Sequence, residues 1–380
     1  MEAISLYIHI PFCVQKCAYC DFQSAPCSNQ EKDRYVEGLI QEIHLQGKAY
    51  GRPQVYTVFF GGGTPSLLQI HHIEGIGQAL KQAFDLSVCK EFTFEANPGT
   101  LNLENLEAWH DIGANRVSMG VQVMDNRLLQ LIGRIHSVEE VVASVQMIRE
   151  AGFTNYNLDM MFGIPTQTLE DVDKTLGALL DLEPNHISAY SLKLEEGTQL
   201  NRLVDQGLLH EVSEDLDRDM YQLVIDRLTA AGLPQYEISN FARPGRESKH
   251  NIVYWENKPY LGLGIAAHGC IRGERIANEV STTKWLERIQ NGDLPIVDRE
   301  SISPEMEAFE TLMLGLRLNK GVDRKSFLDR YQVDIMDLYS QALSKHEAEG
   351  LVTITGDRIA LTTKGFNVSN QVFVDLMPDE

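Results

Sequence analysis

Three cysteines lie close together near the start of the chain, in the stretch HIPFCVQKCAYCDF (9–22). Cys13, Cys17 and Cys20 follow the spacing C-x3-C-x2-C. One interpretation is three small buried side chains, which would require three coincidences at tight spacing. A second is structural zinc, but such sites take four ligands, often as two C-x2-C pairs, and the sequence has no second pair. The spacing favours a third, a [4Fe–4S] cluster held by three thiolates, with one iron open to a small molecule.

The remaining cysteines do not supply an obvious fourth ligand. Cys27 is the nearest, but Phe22 occupies the place where an adjacent C-x-C ligand would stand, and Cys89 and Cys270 are scattered. A secreted disulfide framework would be denser and built on a shorter chain. The cysteine usage therefore fits a reducing cytoplasm.

Other polar or unusual residues follow short β-rich segments. Gly61–Pro65 (GGGTP) ends the second such segment, Glu95–Pro98 (EANP) the third and Gln122 the fourth, while Asp159 lies in the fifth. In a parallel barrel the active-site groups gather at the C-terminal ends of the strands. We therefore expect these residues and the cysteines to share one rim.

Strands alternate with helical segments through the first part of the chain. This order of elements would bring the polar residues and the cysteines to one rim. The predicted strands are 5–10, 55–63, 91–98, 115–122, 155–165 and 186–193. Apolar spacing of i, i+3, i+4 predicts helices at 30–48, 67–84, 137–152 and 168–182. Such alternation is typical of parallel βαβ units. The sequence thus predicts an α/β fold with a partial, TIM-like (β/α)6 barrel over residues 1–235.

The rest of the chain has a different character. Residues 236–300 are rich in aromatic residues and glycine, with little periodicity apart from a short helix at 282–292, and we expect a connecting region there. Residues 301–380 read as three helices, two short strands and a last helix. This order predicts a mainly helical, winged-helix-like module. It lacks a basic recognition helix, which argues against DNA binding.

Composition excludes several classes of protein. The net charge is −21, from 54 acidic and 33 basic residues among 380, and a phosphate backbone needs a basic surface, so no nucleic-acid partner is expected. The sequence contains no run of about 18 apolar residues, so we expect no integral membrane segment. The start, MEAISLYIHIPF, lacks the basic region and cleavage site of a signal peptide. We expect a cytoplasmic protein; peripheral membrane contact and the oligomeric state stay open.

Taken together, the motifs resemble the radical S-adenosylmethionine (SAM) superfamily. The C-x3-C-x2-C spacing after a first barrel strand, with the aromatic Tyr19 before the last cysteine, is its signature. The chain is similar over nearly its whole length to the oxygen-independent coproporphyrinogen oxidase group, in which the same order of motifs occurs: SLYIHIPFC, CAYCDF, FFGGGTPS, EANPGT, RVSMGVQ, GRIHS and DMMFGIP. The resemblance implies that Cys13, Cys17 and Cys20 hold the cluster and that SAM chelates the open iron.

The resemblance also implies a set of SAM-binding residues. Tyr7, Gly62 and Glu95 match positions that line the cluster-bound SAM. The positions that line two SAM molecules in the oxidase are matched by Tyr19, Gly63, Thr64, Gln122, Arg134 and Asp159. The number of SAM molecules in this chain stays open. Carboxylates can accept hydrogen bonds from ribose hydroxyls or a cationic amine, and an arginine can pair a carboxylate.

Two features resemble the heme chaperone branch of this group. The oxidase branch has a longer N-terminal extension and a further cysteine where this chain has Phe22. HNIVYW (250–255) matches the H-N-x-x-Y-W motif associated with heme binding in the chaperone branch. The resemblance implies a chaperone that passes heme to acceptor proteins, with respiratory acceptors expected. His250 is the expected axial ligand, beside the flat rings of Tyr254 and Trp255; alternatively, His250 is a structural or solvated loop residue and both rings are core anchors.

Two other functions remain as alternatives. A radical SAM oxidoreductase acting on a porphyrinogen would use the same cofactors, because the radical chemistry belongs to the cofactor, so whether the chain is an enzyme stays open. A tRNA-modifying enzyme is opposed by the charge. We assign His268 no role, and expect the pair His71–His72 to lie on a solvated helix face.

Overall fold

A sheet of twelve strands forms the centre of the protein in a computed structural model that describes residues 2–378. Six neighbouring parallel strands follow chain order: β1 (Ile4–Ile10), β2 (Val55–Gly62), β3 (Glu91–Ala96), β4 (Arg116–Gln122), β5 (Tyr156–Phe162) and β6 (His186–Ser191). This confirms the predicted parallel (β/α)6 arrangement. Because all six strands run in the same direction, their C-terminal ends lie along one rim.

Helices provide the crossovers between these strands. They are α1 (Asn29–Ala49), α2 (Ile70–Ala83), α3 (Leu103–Ile112), α4 (Asn126–Leu131), α5 (Val138–Glu150) and α6 (Leu169–Asp181). A single 3-10 turn, Pro65–Leu67, follows β2. Capping boxes, in which a Ser or Thr and an acidic residue three positions later satisfy each other's backbone N–H groups, fix the starts of α1, α5 and α6. The cysteine loop therefore ends at a defined point, Ser28, where α1 begins.

The two faces of the parallel strands differ in polarity. In β1, Leu6 and Ile8 are fully buried in the apolar core, while Ser5, Tyr7 and His9 alternate with them on the other face. Ser5 accepts a hydrogen bond from Thr57 of β2 at 2.7 Å inside the barrel. The barrel interior is thus polar, and its end at the C-termini of the strands can serve as a binding site.

Residues 236–300 extend the sheet, contrary to the expectation of a region with few regular elements. After α7 (Gln199–Asp205) and α8 (Glu214–Ala230), this part forms β7 (Gln235–Glu237), β8 (Asn240–Ala242), α9 (Lys249–Trp255), β9 (Tyr260–Leu263), β10 (His268–Ile271), β11 (Glu274–Asn278), α10 (Thr282–Gln290) and β12 (Ile296–Ser301). β8 pairs with β6, and β9 pairs in parallel with β1. Strands of three to six residues are too short to produce a clear period. The domain bounds 1–235, 236–300 and 301–380 stay a prediction.

The last part of the chain has a core of its own. It comprises α11 (Pro304–Gly315), β13 (Val322–Asp323), α12 (Arg324–Tyr331), α13 (Ile335–Ala348), β14 (Val352–Ile354), β15 (Arg358–Leu361), α14 (Thr363–Asn367) and α15 (Ser369–Leu376). The three strands form a small antiparallel sheet over a separate apolar cluster. The order is that expected of a winged-helix-like module, with the last helix divided near Val368. Within residues 2–378, no helix is long and apolar enough to cross a membrane.

Candidate cluster and cofactor site

The cysteine loop connects β1 to α1 and is closed at its base by backbone hydrogen bonds. Cys13 donates its N–H to the carbonyl of Ala25 at 3.1 Å, and Ala25 donates to the carbonyl of Pro11 at 3.0 Å. A tighter turn inside the loop is made by the N–H of Cys20 and the carbonyl of Cys17 at 3.2 Å. All six cysteines lie in the described part of the chain, and none forms a disulfide. The loop therefore presents free thiols from a closed backbone.

The three motif cysteines open into one cavity of about 140 Å³ at the C-terminal rim of the barrel. Ten of the predicted site residues line it: Cys13, Cys17, Tyr19, Cys20, Gly62, Gly63, Glu95, Gln122, Arg134 and Asp159. Lys16, Phe22, Ser24, Asn97, Ser118 and Gly120 also line it. The cavity unites the cysteine loop after β1 with residues of β2, β3, β4 and β5, as expected from the parallel barrel.

The donor set fits a three-thiolate iron–sulfur cluster. No other cysteine lines this cavity within residues 2–378, because Cys27 faces a different one. Arg134 Nη1 lies 3.6 Å from Cys17 Sγ, and Thr64 Oγ1 lies 3.6 Å from Cys13 Sγ. Such donors stabilise thiolates, which are the form that binds iron. Three thiolates leave one iron of a [4Fe–4S] cluster without a protein ligand.

The glycine turn is required for the close approach of β2 to the cysteine loop. Gly62 has φ +107°, and a Cβ there would lie 2.4 Å from the ring of His9. A Cβ on Gly63 would lie 2.5 Å from the carbonyl oxygen of Phe12. The turn therefore has a packing role in addition to lining the cavity. His9 was not singled out in the sequence, although its alternation with Tyr7 was a usable signal.

Two carboxyl groups line the inner part of the cavity. Glu95 accepts the N–H of Gly62 at 3.2 Å, and Asp159 accepts from Asn157 at 2.6 Å. Burial, together with the charge of Asp159, raises the pKa of Glu95 to about 8. Burial likewise raises the pKa of Asp159. Both groups can receive hydrogen bonds from ligand hydroxyls or an amine.

Tyr7 lies just below the cavity rather than in its lining. Its hydroxyl is 3.1 Å from Nδ1 of His9. Burial and the neighbouring charge of Glu95 hold the pKa of Tyr7 well above its usual value. Tyr7 is therefore paired with His9 beneath the cavity, and in this structure it does not itself line the cavity.

Arg134 ties the strand ends together. Its Nη2 donates to Asn97 Oδ1 at 2.6 Å and to the carbonyl of Gly120. Asn97 in turn donates to Thr64 Oγ1 at 2.9 Å, which explains how Thr64 contributes although it does not line the cavity. The guanidinium thus joins the ends of β3 and β4 to the cysteine loop. Asn97 was visible in the EANP motif, but its bridging role depends on contacts distant in sequence.

Gln122 ends β4 in a strained conformation. Its φ is +73°, in the left-handed region that non-glycine residues rarely adopt. The register between β4 and β5 shifts between Gly120 and Gln122, as in a β-bulge. The irregularity turns the end of β4, and bulges and strained residues are common next to binding sites.

The structure corrects the expected environment of His250. The residue does not lie in a loop but in α9, where it is 1% exposed. Its Nδ1 is 2.8 Å from Thr57 Oγ1, and its Nε2 is 2.8 Å from Tyr254 Oη. Burial lowers the pKa of His250 to about 3, so the ring is neutral. Both ring nitrogens are engaged, so in this conformation His250 is not presented to a heme.

A buried carboxylate holds the H-N-x-x-Y-W motif in place. Glu91 accepts the backbone N–H groups of Lys249 at 2.9 Å and His250 at 3.0 Å, which caps α9. Because Glu91 begins β3, α9 closes the end of the barrel opposite the cysteines. Trp255 carries the guanidinium of Arg317 over its ring at 4.7 Å. The motif therefore acts here as a packed floor of the barrel.

The histidine pair on α2 is not the solvated face that we expected. His71 is exposed, but His72 is 2% exposed and its Nε2 lies 2.8 Å from Asp33 Oδ1. With His71, these groups are close enough to suggest a metal site. The N–H of Gln69 points at Nδ1 of His72, however, which places the ring proton on Nε2, toward Asp33. The pair is therefore explained by a hydrogen bond that ties α1 to α2.

Comparisons with known proteins agree with this geometry. Residues 7–179 match the Radical SAM superfamily, and residues 302–368 match the HemN C-terminal domain. The chain is 38% identical to heme chaperone HemW of Bacillus subtilis, over 97% of this chain and 98% of that protein. It is 34% identical to heme chaperone HemW of Escherichia coli, over 96% of each.

A solved structure has the same architecture. Coproporphyrinogen III oxidase (HemN) from Escherichia coli, a radical SAM enzyme, superposes with a TM-score of 0.85 over 98% of this chain and 90% of that one. The two sequences are 24% identical, so this likeness concerns the fold. It covers both the barrel and the C-terminal module.

Proposed function

This chain belongs to the HemW family of radical SAM proteins, and on that premise we propose that it is a heme chaperone, which binds heme and passes it to acceptor proteins. The observation that carries the proposal is near-full-length similarity to several heme chaperones, in a chain whose thiols line one cavity. We further propose that the acceptors are respiratory proteins and that the transfer takes place in the cytoplasm. The free state of all six cysteines supports a reducing compartment.

The cofactors of the radical SAM fold, a [4Fe–4S] cluster and SAM, have a suitable place at the rim. Cys13, Cys17 and Cys20 would hold the cluster, whose open iron supplies a chelation point for the amino and carboxylate groups of SAM. Glu95 and Asp159 would accept hydrogen bonds from that ligand, and Arg134 would keep the rim assembled around it. Tyr19, Gly62, Gly63 and Gln122 would line the same pocket, and Tyr7 and Thr64 would support it from just outside the lining.

Phe22 supports a chaperone over an oxidase. The side chain is 61% exposed and lies at the mouth of the cluster cavity, at the position where the oxidase branch has a further cysteine. An apolar ring there offers no ligand or acid–base group. The similarity to the oxidase structure is a similarity of fold and does not favour turnover of a porphyrinogen.

Heme titration tests the proposal. The full chain, reconstituted anaerobically and also stripped of its iron, would be titrated with ferric heme while the Soret absorbance is followed. We expect saturable binding near one heme per chain. A parallel incubation with coproporphyrinogen, SAM and a reductant should yield no protoporphyrinogen. Absence of saturable heme binding, or steady production of protoporphyrinogen, would contradict the chaperone function.

A further inference from the structure

A buried arginine lies inside the barrel, between the cluster cavity and the floor. Arg116 is the first residue of β4 and is 2% exposed. The next residues of β4 alternate: Val117 and Met119 belong to the apolar core, whereas Ser118 and Gly120 line the cavity. Because successive side chains of a strand point to opposite faces, Arg116 shares the inner face with Ser118 and Gly120. A guanidinium, which stays charged in proteins, therefore lies in the barrel interior.

The guanidinium of Arg116 has no close partner to neutralise it. Its Nε is buried without a hydrogen-bond partner, and in the part of the chain that the structure describes no carboxylate forms an ion pair with it. A buried charge is costly unless opposite charges or hydrogen bonds compensate for it. Arg116 therefore depends on carboxyl groups at longer range, and those of Glu91, Glu95 and Asp159 face it inside the barrel.

The register of the strands places two of these carboxyls on the cavity side of Arg116. In the pairing of β3 with β4, Arg116 lies opposite Thr93, and Glu95 is the next residue of β3 on the same face. Asp159 of β5 lies opposite Gly120, farther toward the C-terminal end of β4. Both carboxyls line the cavity in which we place SAM, whereas Arg116 does not. The arginine thus lies directly behind the groups that would meet the ligand.

The charge of Arg116 acts on both cavity carboxyls. Burial and the negative charge of Asp159 raise the pKa of Glu95 to about 8, and Arg116 opposes this rise. Burial also raises the pKa of Asp159, and the charges of Arg116 and Arg134 oppose it. Two carboxyls that face one cavity repel each other when both are ionised. Arg116 therefore favours the ionised forms, which accept the stronger, charge-assisted hydrogen bonds.

We propose that Arg116 is a positioning residue of the SAM site, whose buried positive charge acts on SAM binding through Glu95 and Asp159. This inference rests on the proposed cluster and SAM site, to which it adds a residue that does not touch the ligand. SAM carries a cationic sulfonium, so the direct effect of Arg116 on it is repulsive. Near neutral pH the gain from ionised carboxyls outweighs this repulsion; at a pH above their pKa values only the repulsion remains.

The other titratable groups that face this layer keep one charge state between about pH 6.5 and 9. Burial raises the pKa of the tyrosines, which are Tyr7 and Tyr254 beside Glu95, Tyr19 and Tyr190 beside Asp159, and Tyr236 beside Arg116. Burial lowers the pKa of the histidines, which are His9 next to Tyr7, and His186 and His250 beside Arg116. A change with pH that depends on Arg116 therefore comes from Glu95 and Asp159.

The alternative role for Arg116 is a structural one in the floor. Glu91 begins β3 on that side and caps α9 through the N–H groups of Lys249 and His250. Arg116 would then balance the charge of Glu91 alone. Its loss would lower the free energy of unfolding but would not change how SAM binding depends on pH.

The experiment uses the full chain with its reconstituted cluster and SAM as the probe. SAM affinity is measured between about pH 6.5 and 9 from the change in the electron paramagnetic resonance spectrum of the reduced cluster. Arg116→Gln and Arg116→Met remove the charge, the second without an amide that needs partners, and Arg116→Lys keeps it. Arg218→Gln, exposed on α8, is the matched control. Iron content and circular dichroism verify that each variant is folded.

We expect both neutral variants to weaken SAM binding on the order of five-fold near pH 7 and to move the rise of affinity with pH upward by about one unit. At about pH 9 their affinity should equal or exceed that of wild type, because only the repulsion of the sulfonium is then lost. Arg116→Lys and Arg218→Gln should follow wild type. In a Glu95→Gln background, removal of the Arg116 charge should have little effect near pH 7.

A second measurement needs no cofactor. In the iron-free chain, infrared difference spectra taken against pH follow the carbonyl band of buried protonated carboxyls, and the band that is absent in Glu95→Gln belongs to Glu95. Arg116→Met should move the titration of this band to higher pH. Glu42, whose pKa is raised to about 7 by burial where α1 meets Trp285 of α10, is the internal control and should titrate as in wild type.

The outcomes separate the role of Arg116 from the SAM site itself. A wild-type pH profile in Arg116→Gln and Arg116→Met, or an equal loss of affinity at every pH, would overturn the positioning role and leave the SAM site standing. An unmoved Glu95 band in Arg116→Met would overturn it as well. Absence of any SAM-dependent spectral change in the wild-type chain would overturn the proposed SAM site.

Discussion

The thiols of this chain separate into two groups with different surroundings. Cys13, Cys17 and Cys20 line the rim cavity with hydrogen-bond donors beside them, whereas Cys27 faces the neighbouring cavity. Cys20 and Cys27 are only a few residues apart in sequence. They face different cavities because the loop turns back on itself at Ala25. Adjacent thiols can therefore have unrelated roles.

Cluster loading should depend on three cysteines. The chain reconstituted under anaerobic conditions should carry about four irons. Replacement of Cys13, Cys17 and Cys20 together by alanine should abolish the cluster absorbance, because no other thiol lines that cavity in the described structure. Cys27→Ala, Cys89→Ala and Cys270→Ala should each keep it. Iron analysis and visible spectra measure this, and loss of the cluster in Cys27→Ala would refute the three-ligand assignment.

SAM binding should depend on the carboxyl group of Glu95. Glu95→Ala removes an acceptor from the cavity and should weaken SAM on the order of ten-fold. Glu95→Gln should lose less, because its amide oxygen can still accept the N–H of Gly62. The readout is the SAM-dependent change in the electron paramagnetic resonance spectrum of the reduced cluster, with iron content as the control. Equal SAM affinity in Glu95→Ala and wild type would exclude this role.

At the scale of elements, α9 shows that the predicted heme-binding motif has a structural role. The helix has only seven residues, Lys249–Trp255, too few to be stable alone. It is fixed by Glu91 at its start and by Thr57 against the ring of His250. Heme contact by this motif would require α9 to leave the barrel floor, which breaks these bonds.

The cap of α9 by Glu91 should contribute measurably to stability. Glu91→Gln keeps one acceptor but replaces the other with an amide that faces N–H donors. We expect the free energy of unfolding to fall by about 1–3 kcal/mol, the cost of an unsatisfied buried group. Chemical denaturation measures the loss, and Glu107→Gln, exposed on α3, is the matched control. An unchanged midpoint in Glu91→Gln would mean that the cap is unimportant.

The sequence predicted the elements whose signal is local. The six barrel strands and their rim residues could be placed because long strands alternate with helices, and the proposed cluster ligands lie within eight residues. The burial of His250 could not be predicted, because it depends on a contact with Thr57, 193 residues away. The cavity beside Cys27 likewise joins the loop after β1 to α10. The short strands β7–β12 carried too little periodicity to be recognised.

At the scale of the whole molecule, the barrel has two ends with opposite properties. The cysteine end opens to solvent through cavities, while the other end is closed by α9 and buried polar residues. The C-terminal module reaches the closed end, where Arg317 lies over Trp255. A change that destabilises the closed end should therefore lower the free energy of unfolding of the barrel and of the C-terminal module.

Neutral histidine in the barrel floor should make the protein sensitive to mild acid. The pKa of His250 is about 3 in the folded state, below its ordinary value, so the unfolded state binds the proton first as the pH falls. The contribution of this neutral ring to the free energy of unfolding is thus fully present above about pH 6.5 and is lost as the pH falls toward 3. Between pH 7 and 5.5 the loss from this group is about 1 kcal/mol.

Two histidine variants isolate the pH-dependent loss of unfolding free energy that comes from His250. His250→Asn should show a smaller loss of unfolding free energy between pH 7 and 5.5 than wild type, although it starts from a lower value. His268→Asn, on the exposed start of β10, should keep the wild-type pH dependence. Denaturant titrations at the two pH values measure the difference. Identical pH dependence in His250→Asn and wild type would show that the floor histidine does not titrate as described.

The proposed delivery of heme can be followed directly as its transfer to an acceptor protein. Heme-loaded chain, with its cluster in place, would be mixed with the apo-form of a b-type respiratory cytochrome, and the Soret band of the acceptor would be followed in time. We expect transfer that is faster than heme release to apomyoglobin, a scavenger with no partner role, at the same concentration. Equal rates for the cytochrome and the scavenger would mean passive release and would contradict a chaperone function.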